Sequence, residues 1–187
     1  MNIVLITSGR RTELLRQSLA SLIQNAANPN EHHLTVVCDG RFVPFEHSMP
    51  NSIIVNTTSQ GASASRNIGA GSIPKYRRKD RVLFLDDDVF MCRDWDRRMS
   101  AVADVHRRAI VSGYSHPYNQ YIAKVAHRID ERDEEGSFKL LTEVRYGSPL
   151  VISSVAMMMT WGMFDEVGPW DEPGGPGGSE DYALCMR

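Results

Sequence analysis

Four apolar residues, Val82-Leu-Phe-Leu85, run without a polar break and stop at three adjacent carboxylates, Asp86, Asp87 and Asp88. Side chains alternate between the two faces of a strand, so a strand that is apolar at every position needs cover on both sides. The run therefore predicts a strand inside a mostly parallel sheet flanked by helices. Three ionised carboxylates in a row repel one another and oppose folding unless a counter-charge is supplied. A divalent cation would remove the conflict. On an extended chain Asp86 and Asp88 are expected to point to one side and Asp87 to the other. Two oxygen ligands on one side suit a hard ion such as Mg²⁺ or Mn²⁺, with positions left open for phosphate oxygens. A solvated acidic turn is the plainer alternative, which these residues alone leave open.

The rest of the chain repeats the same grammar. Asn2-Ile-Val-Leu-Ile-Thr7 reads as a first buried strand, followed by a loop, Ser8-Gly-Arg-Arg11, and by Thr12 as a helix N-cap. The spacing of Leu15, Leu19, Leu22 and Ile23 predicts a helix with one apolar face, fading near Asn25. Strands are expected at Leu34–Cys38, ending in Asp39-Gly40, and at Ile53–Val55. After the acidic strand come a helix from Asp94 to His106, with Trp95, Met99 and Val102 inward, and short strands at Ala109–Ser112 and Val151–Thr160. The fold class is α/β.

With 187 residues the chain is long enough for one sizeable core and short for two, so one domain over 1–187 is expected. Hydrophobic residues at 42% and charged residues at 24% are those of a globular protein, and a net charge of -2 supplies no basic field for nucleic acid. Cys38, Cys92 and Cys185 are odd in number and widely spaced, which suggests neither a disulfide framework nor a zinc site and fits a reducing cytoplasm. The apolar run Ile3–Ile6 is too short for a signal-peptide core, and no stretch approaches the ~20 apolar residues of a membrane span. A peripheral place at a membrane, held by a partner, stays compatible with the sequence.

Three further stretches carry information. Gln60 to Gly71 is rich in small residues and starts a helix near the sheet edge; it either lets a ligand approach the backbone or packs the helix tightly on the sheet. Tyr114, His116, Pro117, Tyr118 and Tyr121 form a polar aromatic group suited to stacking on a sugar or to a plain surface loop. Pro173 to Gly178 contains only proline and glycine, the composition of a mobile lip, and Ser179 then caps a helix with Glu180 and Asp181 in its first turn. Those two carboxylates either serve chemistry or complement the helix dipole.

Five pieces in one order resemble family 2 glycosyltransferases of the GT-A fold. They are V-L-I-T at Val4–Thr7, V-V-C-D-G at Val36–Gly40, G-A-S-A-S-R-N-I-G at Gly61–Gly69, F-L-D-D-D at Phe84–Asp88, and G-P-W-D-E followed by E-D between Gly168 and Asp181. The resemblance implies a nucleoside-diphosphate sugar donor, of UDP type, a Mn²⁺ or Mg²⁺ ion, and transfer to an acceptor hydroxyl with inversion. The acceptor class, whether saccharide, lipid-linked or protein, stays open. By the same resemblance Thr7 and Asp39 contact base and ribose, Arg66 and Asn67 hold the donor, and Asp87 belongs to the donor site. Asp88 is the direct metal ligand, with Asp86 at the metal or the ribose, Asp181 is the catalytic base and Glu180 its neighbour at the acceptor. The nucleotide part would occupy about 1–112 and the acceptor side 113–187. Many members continue past the E-D helix, so a minimal enzyme or a fragment truncated at the C-terminal end is expected.

Two other functions compete. A non-catalytic nucleotide-sugar-binding module would keep the fold without turnover. A haloacid-dehalogenase-like phosphatase would use the D-D-D-V run as its nucleophile motif, but that motif usually lies on the first strand, whereas here two or three expected strands precede it.

Overall fold

The computed structural model describes residues 1–41, 53–105, 110–112 and 156–172. Among them, six strands form one sheet: β1 (Asn2–Thr7), β2 (His33–Asp39), β3 (Ile53–Thr57), β4 (Arg81–Asp86), β5 (Val111–Ser112) and β6 (Ala156–Thr160), in the order β3-β2-β1-β4-β6-β5. The first four run parallel, β6 is antiparallel to β4, and β5 is antiparallel to β6. This is the mixed, mostly parallel α/β sheet that the apolar runs require. The lip at 173–178, Ser179, Glu180 and Asp181, the aromatic group at 114–121 and residues 151–155 of the last expected strand lie outside the described residues.

Both faces of the sheet are covered. On one, α1 (Thr12–Gln24) and α3 (Trp95–Val105) bring Leu15, Leu19, Leu22, Trp95 and Met99 onto Ile3, Leu5, Val36, Leu83 and Leu85. On the other, α2 (Ala62–Gly71) and α4 (Trp161–Val167) bring Ala70, Trp161 and Phe164 onto Val4, Val37, Val82 and Phe84. Odd and even residues of β4 thus go to different cores, as the unbroken apolar run demands.

Three local features differ from the sequence expectation or decide between its alternatives. Arg11, not Thr12, takes the N-cap position of α1, because the helix begins one residue early, and there is no side-chain cap bond, since a guanidinium has no acceptor to offer the first-turn N–H groups. Helix α4 was not expected; it starts immediately after β6, where the Thr160 hydroxyl accepts the Met163 N–H at 3.1 Å. In the small-residue stretch, a Cβ on Gly69 would lie 2.4 Å from Val4 Cγ1 and 2.9 Å from Val37 Cγ2, so close helix-to-sheet packing is what this glycine provides.

The end of α1 is fastened to the start of α3 by polar groups. Asp96 accepts the backbone N–H groups of Ala27, Asn28 and Arg97 at 2.8, 3.0 and 2.9 Å, and lies 2.9 Å from His32 Nε2. Trp95 Nε1 donates to the Leu22 carbonyl, and the Asp94 N–H to that of Asn25. Burial would raise the Asp96 pKa, but the N–H donors of Ala27 and Asn28, then His32, outweigh it and hold it below its ordinary value. Burial lowers the His32 pKa in spite of Asp96. The imidazole is therefore assigned as neutral, with Nε2–H donating to the carboxylate and Nδ1 facing the Met1 amine at 3.3 Å.

Both groups are depressed in the folded state, so the unfolded chain binds more protons in acid. Their stabilisation is present above the ordinary values, 6.5 for His32 and 3.8 for Asp96, and is lost as pH falls through the lower folded values. Urea unfolding should therefore give lower stability at pH 5 than at pH 7, and His32→Gln should flatten that slope while lowering stability at pH 7. Asp96→Asn is expected to cost about 2–3 kcal/mol at neutral pH, the size of a charge-assisted hydrogen bond. An unchanged slope in His32→Gln would assign the acid sensitivity to other groups, among them His33, whose pKa burial also lowers.

Candidate nucleotide and metal site

From β1 the chain steps to β2 and β3 on one side, then returns past β1 to β4 on the other. Strand order reverses between β1 and β4, and in open α/β sheets ligands bind beyond the carboxyl ends of the strands at such a point. Ile6 of β1 pairs with Asp86 of β4, so Thr7 and the three aspartates come together there.

Asp87 is the buried member, 1% exposed. Its Oδ2 accepts the Thr7 hydroxyl at 2.6 Å, and Thr7 Oγ1 in turn accepts the Gly9 N–H at 3.1 Å. Gly9 has φ +68, a left-handed conformation that glycine adopts without strain and that turns the loop back over the strand end. Arg11 follows on this loop. Its Nη2 donates to Asp87 Oδ1 and its Nη1 to Asp88 Oδ2, each at 2.5 Å. Partial burial works against the Arg11 charge, but Asp87 and then Asp88 outweigh it, and the guanidinium pKa is raised.

Strand geometry ends at Asp86, and Asp87 and Asp88 form a turn. The expected alternation stops with it: Asp87 and Asp88 share one guanidinium, while Asp86 Oδ1 takes a bond of 2.9 Å from Arg66 Nη2 on α2. Arg66 is itself 2% exposed, with its guanidinium carbon 5.6 Å from the centre of the Trp170 ring. Its Nε and Nη1 have no hydrogen-bond partner among the described residues. Asn67, the next residue, donates from Nδ2 to the Trp170 carbonyl and to Glu172 Oε1, and its Oδ1 accepts the Trp170 N–H, all at 2.9 Å. It clamps the segment after α4 against α2.

Asp39 stands at the carboxyl end of β2. Oδ1 accepts the Thr57 hydroxyl at 2.9 Å and the Gln60 N–H at 2.8 Å, and Oδ2 accepts the Gly61 N–H at 2.9 Å. It thereby satisfies the loop that opens α2, whose own N-cap residue, Gly61, has no side chain to offer. Among the described residues one acceptor position remains on Oδ2 for a ligand hydroxyl.

The structure thus brings Thr7, Asp86, Asp87 and Asp88 together with Arg66, places Asp39 on the neighbouring strand, and turns Asn67 toward residues 170–172. Among the described residues no three His, Cys, Asp or Glu side chains are grouped to hold a metal alone. Two half-exposed carboxylates, Asp86 and Asp88, nevertheless fit the way Mg²⁺ and Mn²⁺ bind, through one or two carboxylates completed by substrate phosphates. Sequence reasoning missed Arg11, Trp170 and Glu172. Arg11 lay in a loop directly after the first strand, opposite in sign to the aspartates, but nothing separated it from its neighbour Arg10.

No protein-family model matches the chain. Among curated proteins, 87 residues are 34% identical to an uncharacterized glycosyltransferase of Haemophilus influenzae, a stretch covering 46% of this chain and 28% of that protein. The fold is similar to the mannosyltransferase PcManGT from Pyrobaculum calidifontis in complex with GDP-Man and Mn²⁺, with a TM-score of 0.64 at 12% identity, over 98% of this chain and 50% of that one. It is also similar to S. aureus TarS in complex with UDP-GlcNAc, with a TM-score of 0.59 at 15% identity, over 99% of this chain and 52% of that one. At such identities the likeness is one of fold. The chain spans about half the length of these solved proteins. No described helix is long and apolar enough to cross a membrane.

The Thr7 hydroxyl donates to a buried charge and accepts a backbone N–H, so Thr7→Val removes one charge-assisted bond and leaves the Gly9 donor unmet. A loss of about 2 kcal/mol in urea unfolding is expected, with Thr7→Ser recovering most of it. Equal stability of Thr7→Val and the parent would show that Asp87 is held by Arg11 alone.

Proposed function

We propose that this chain is a metal-dependent glycosyltransferase, of the GT-A fold and family 2 type, that moves a sugar from a nucleoside diphosphate to an acceptor hydroxyl with inversion. One observation carries the reading. At the strand-order reversal, two half-exposed carboxylates, Asp86 and Asp88, sit beside two guanidinium groups, Arg66 and Arg11, a set of charges suited to a divalent cation and a diphosphate together. The sequence likeness to a glycosyltransferase and the fold shared with two sugar-nucleotide complexes support it.

In this reading Asp88 and Asp86 hold Mn²⁺ or Mg²⁺, which when bound supplies Lewis-acid neutralisation of the charge that develops on the departing diphosphate. Asp87, buried under Thr7, fixes the turn that presents both neighbours. Arg66 holds Asp86 in place and adds positive potential on the α2 side of the crevice. The open acceptor position of Asp39 is offered to a ribose hydroxyl. The resemblance assigns Asp181 as the base that takes the acceptor proton, with Glu180 beside it, and residues 113–187 as the acceptor side. We assign a UDP-type donor and a cytoplasmic site of action, with which a peripheral place at a membrane is compatible; the acceptor class, saccharide, lipid-linked or protein, stays open.

Thermal unfolding with UDP and with GDP, each with Mn²⁺ or with chelator, tests the donor and metal together. A hundredfold excess over the dissociation constant stabilises the native state by roughly 2.7 kcal/mol, so the true nucleotide should stand out, and only with Mn²⁺. Asp88→Asn should weaken that effect, whereas Asp181→Asn should keep it and abolish sugar transfer. Nucleotide binding that is equal in chelator would remove the metal assignment, and transfer at the parent rate in Asp181→Asn would move the base elsewhere.

A further inference from the structure

We propose that Arg11 is a resident counter-ion that a divalent cation must displace from Asp88, and that the released guanidinium then serves the diphosphate. The inference rests on the metal-dependent reading above and goes beyond it by giving the site an order of occupancy.

The geometry is specific to this role. Arg11 spans two carboxylates of different character: Asp87 is 2% exposed in its side chain and anchored by Thr7, whereas Asp88 is 39% exposed. The bond to Asp87 tethers the arginine, and the bond to Asp88 occupies an oxygen that a cation needs. Arg11 itself is half exposed, on the loop between β1 and α1, so its fork can leave Asp88 without opening the core. Arg11 and Arg66 supply two positive charges at contact distance to the three successive carboxylates, which offsets their mutual repulsion. When a cation takes Asp88, Arg11 Nη1 loses its acceptor while Nη2 stays on Asp87, and the freed Nη1 can donate a charge-assisted bond to a phosphate oxygen of the diphosphate. Cation alone then binds against a competitor. Cation with diphosphate binds without that loss, because the displaced guanidinium finds new acceptors.

The two predicted effects of removing Arg11 have opposite signs, which a purely structural arginine would not produce. Mn²⁺ binding to the free protein, read from the electron paramagnetic resonance signal of unbound Mn²⁺, should tighten about fivefold in Arg11→Gln, the order expected for release of one partly exposed ion pair. UDP binding by calorimetry at saturating Mn²⁺ should weaken in the same variant by tenfold or more, the size of one lost charge-assisted contact. Arg11→Lys, which keeps the charge but lacks the planar fork that gives each carboxylate its own nitrogen, should fall between in Mn²⁺ affinity and serves as the check if Arg11→Gln unfolds. Equal Mn²⁺ affinity in parent and both variants would overturn the displacement while leaving the transferase reading intact. Absence of Mn²⁺ binding to the parent and the variants, with and without UDP, would overturn the metal-dependent reading and this inference together.

Discussion

Asp87 is a fully buried carboxylate at the end of a strand whose preceding residues are entirely apolar, and most of the upper edge of the sheet is arranged to hold it. Burying such a charge is costly unless it is paired and hydrogen-bonded. The pairing comes from Arg11 and the hydrogen bond from Thr7, so the loop after β1 is drawn across the end of β4. That single requirement sets where α1 begins, why a glycine in a left-handed conformation follows the strand, and how Asp86 and Asp88 come to flank the buried charge. The candidate site is in this sense a by-product of neutralising its middle carboxylate.

The layered plan was legible because its signals are local. Apolar runs such as Val82–Leu85 specify strands covered on both faces, and the leucine spacing after Thr12 specifies the helix between the first two. The coming together of Thr7 with the aspartates was legible only through resemblance, since no spacing rule connects positions eighty residues apart. The alternation argument failed after Asp86 because a strand rule was applied to residues that leave the strand. Helix α4 escaped notice for the opposite reason: Ala156–Thr160 passes into Trp161–Val167 with no proline or polar cluster to mark the change, Gly162 argues against a helix, and only the Thr160 hydroxyl signals the start. Arg11 and Asn67 depend on partners distant in sequence, where chemistry is decided by packing that no window reveals.

Arg66 and Asn67 show how one turn of helix links two halves of the sheet's upper edge. Arg66 reaches sideways to the strand that carries the carboxylates, and Asn67 reaches outward to Trp170 and Glu172 beyond the antiparallel strand. Trp170 closes the circuit by lying against both the Arg66 guanidinium and Phe84 of β4. The strand end that carries the carboxylates and the segment after α4 are thereby held by adjacent residues of one element, so a displacement of α2 would be felt in both.

The notch that Gly69 makes for Val4 and Val37 fixes not only the distance of α2 from the sheet but its rotation. A single residue inserted or lost between Arg66 and Gly69 would turn one relative to the other by about 100°, taking the arginine off Asp86 while the glycine stayed seated. Length variation among descendants of this sequence is therefore confined by geometry: the segment from Gly61 to Gly69 must keep its count, and gains or losses of residues must fall in the connections at the opposite edge, such as the basic turn from Lys75 to Arg78 that leads into β4.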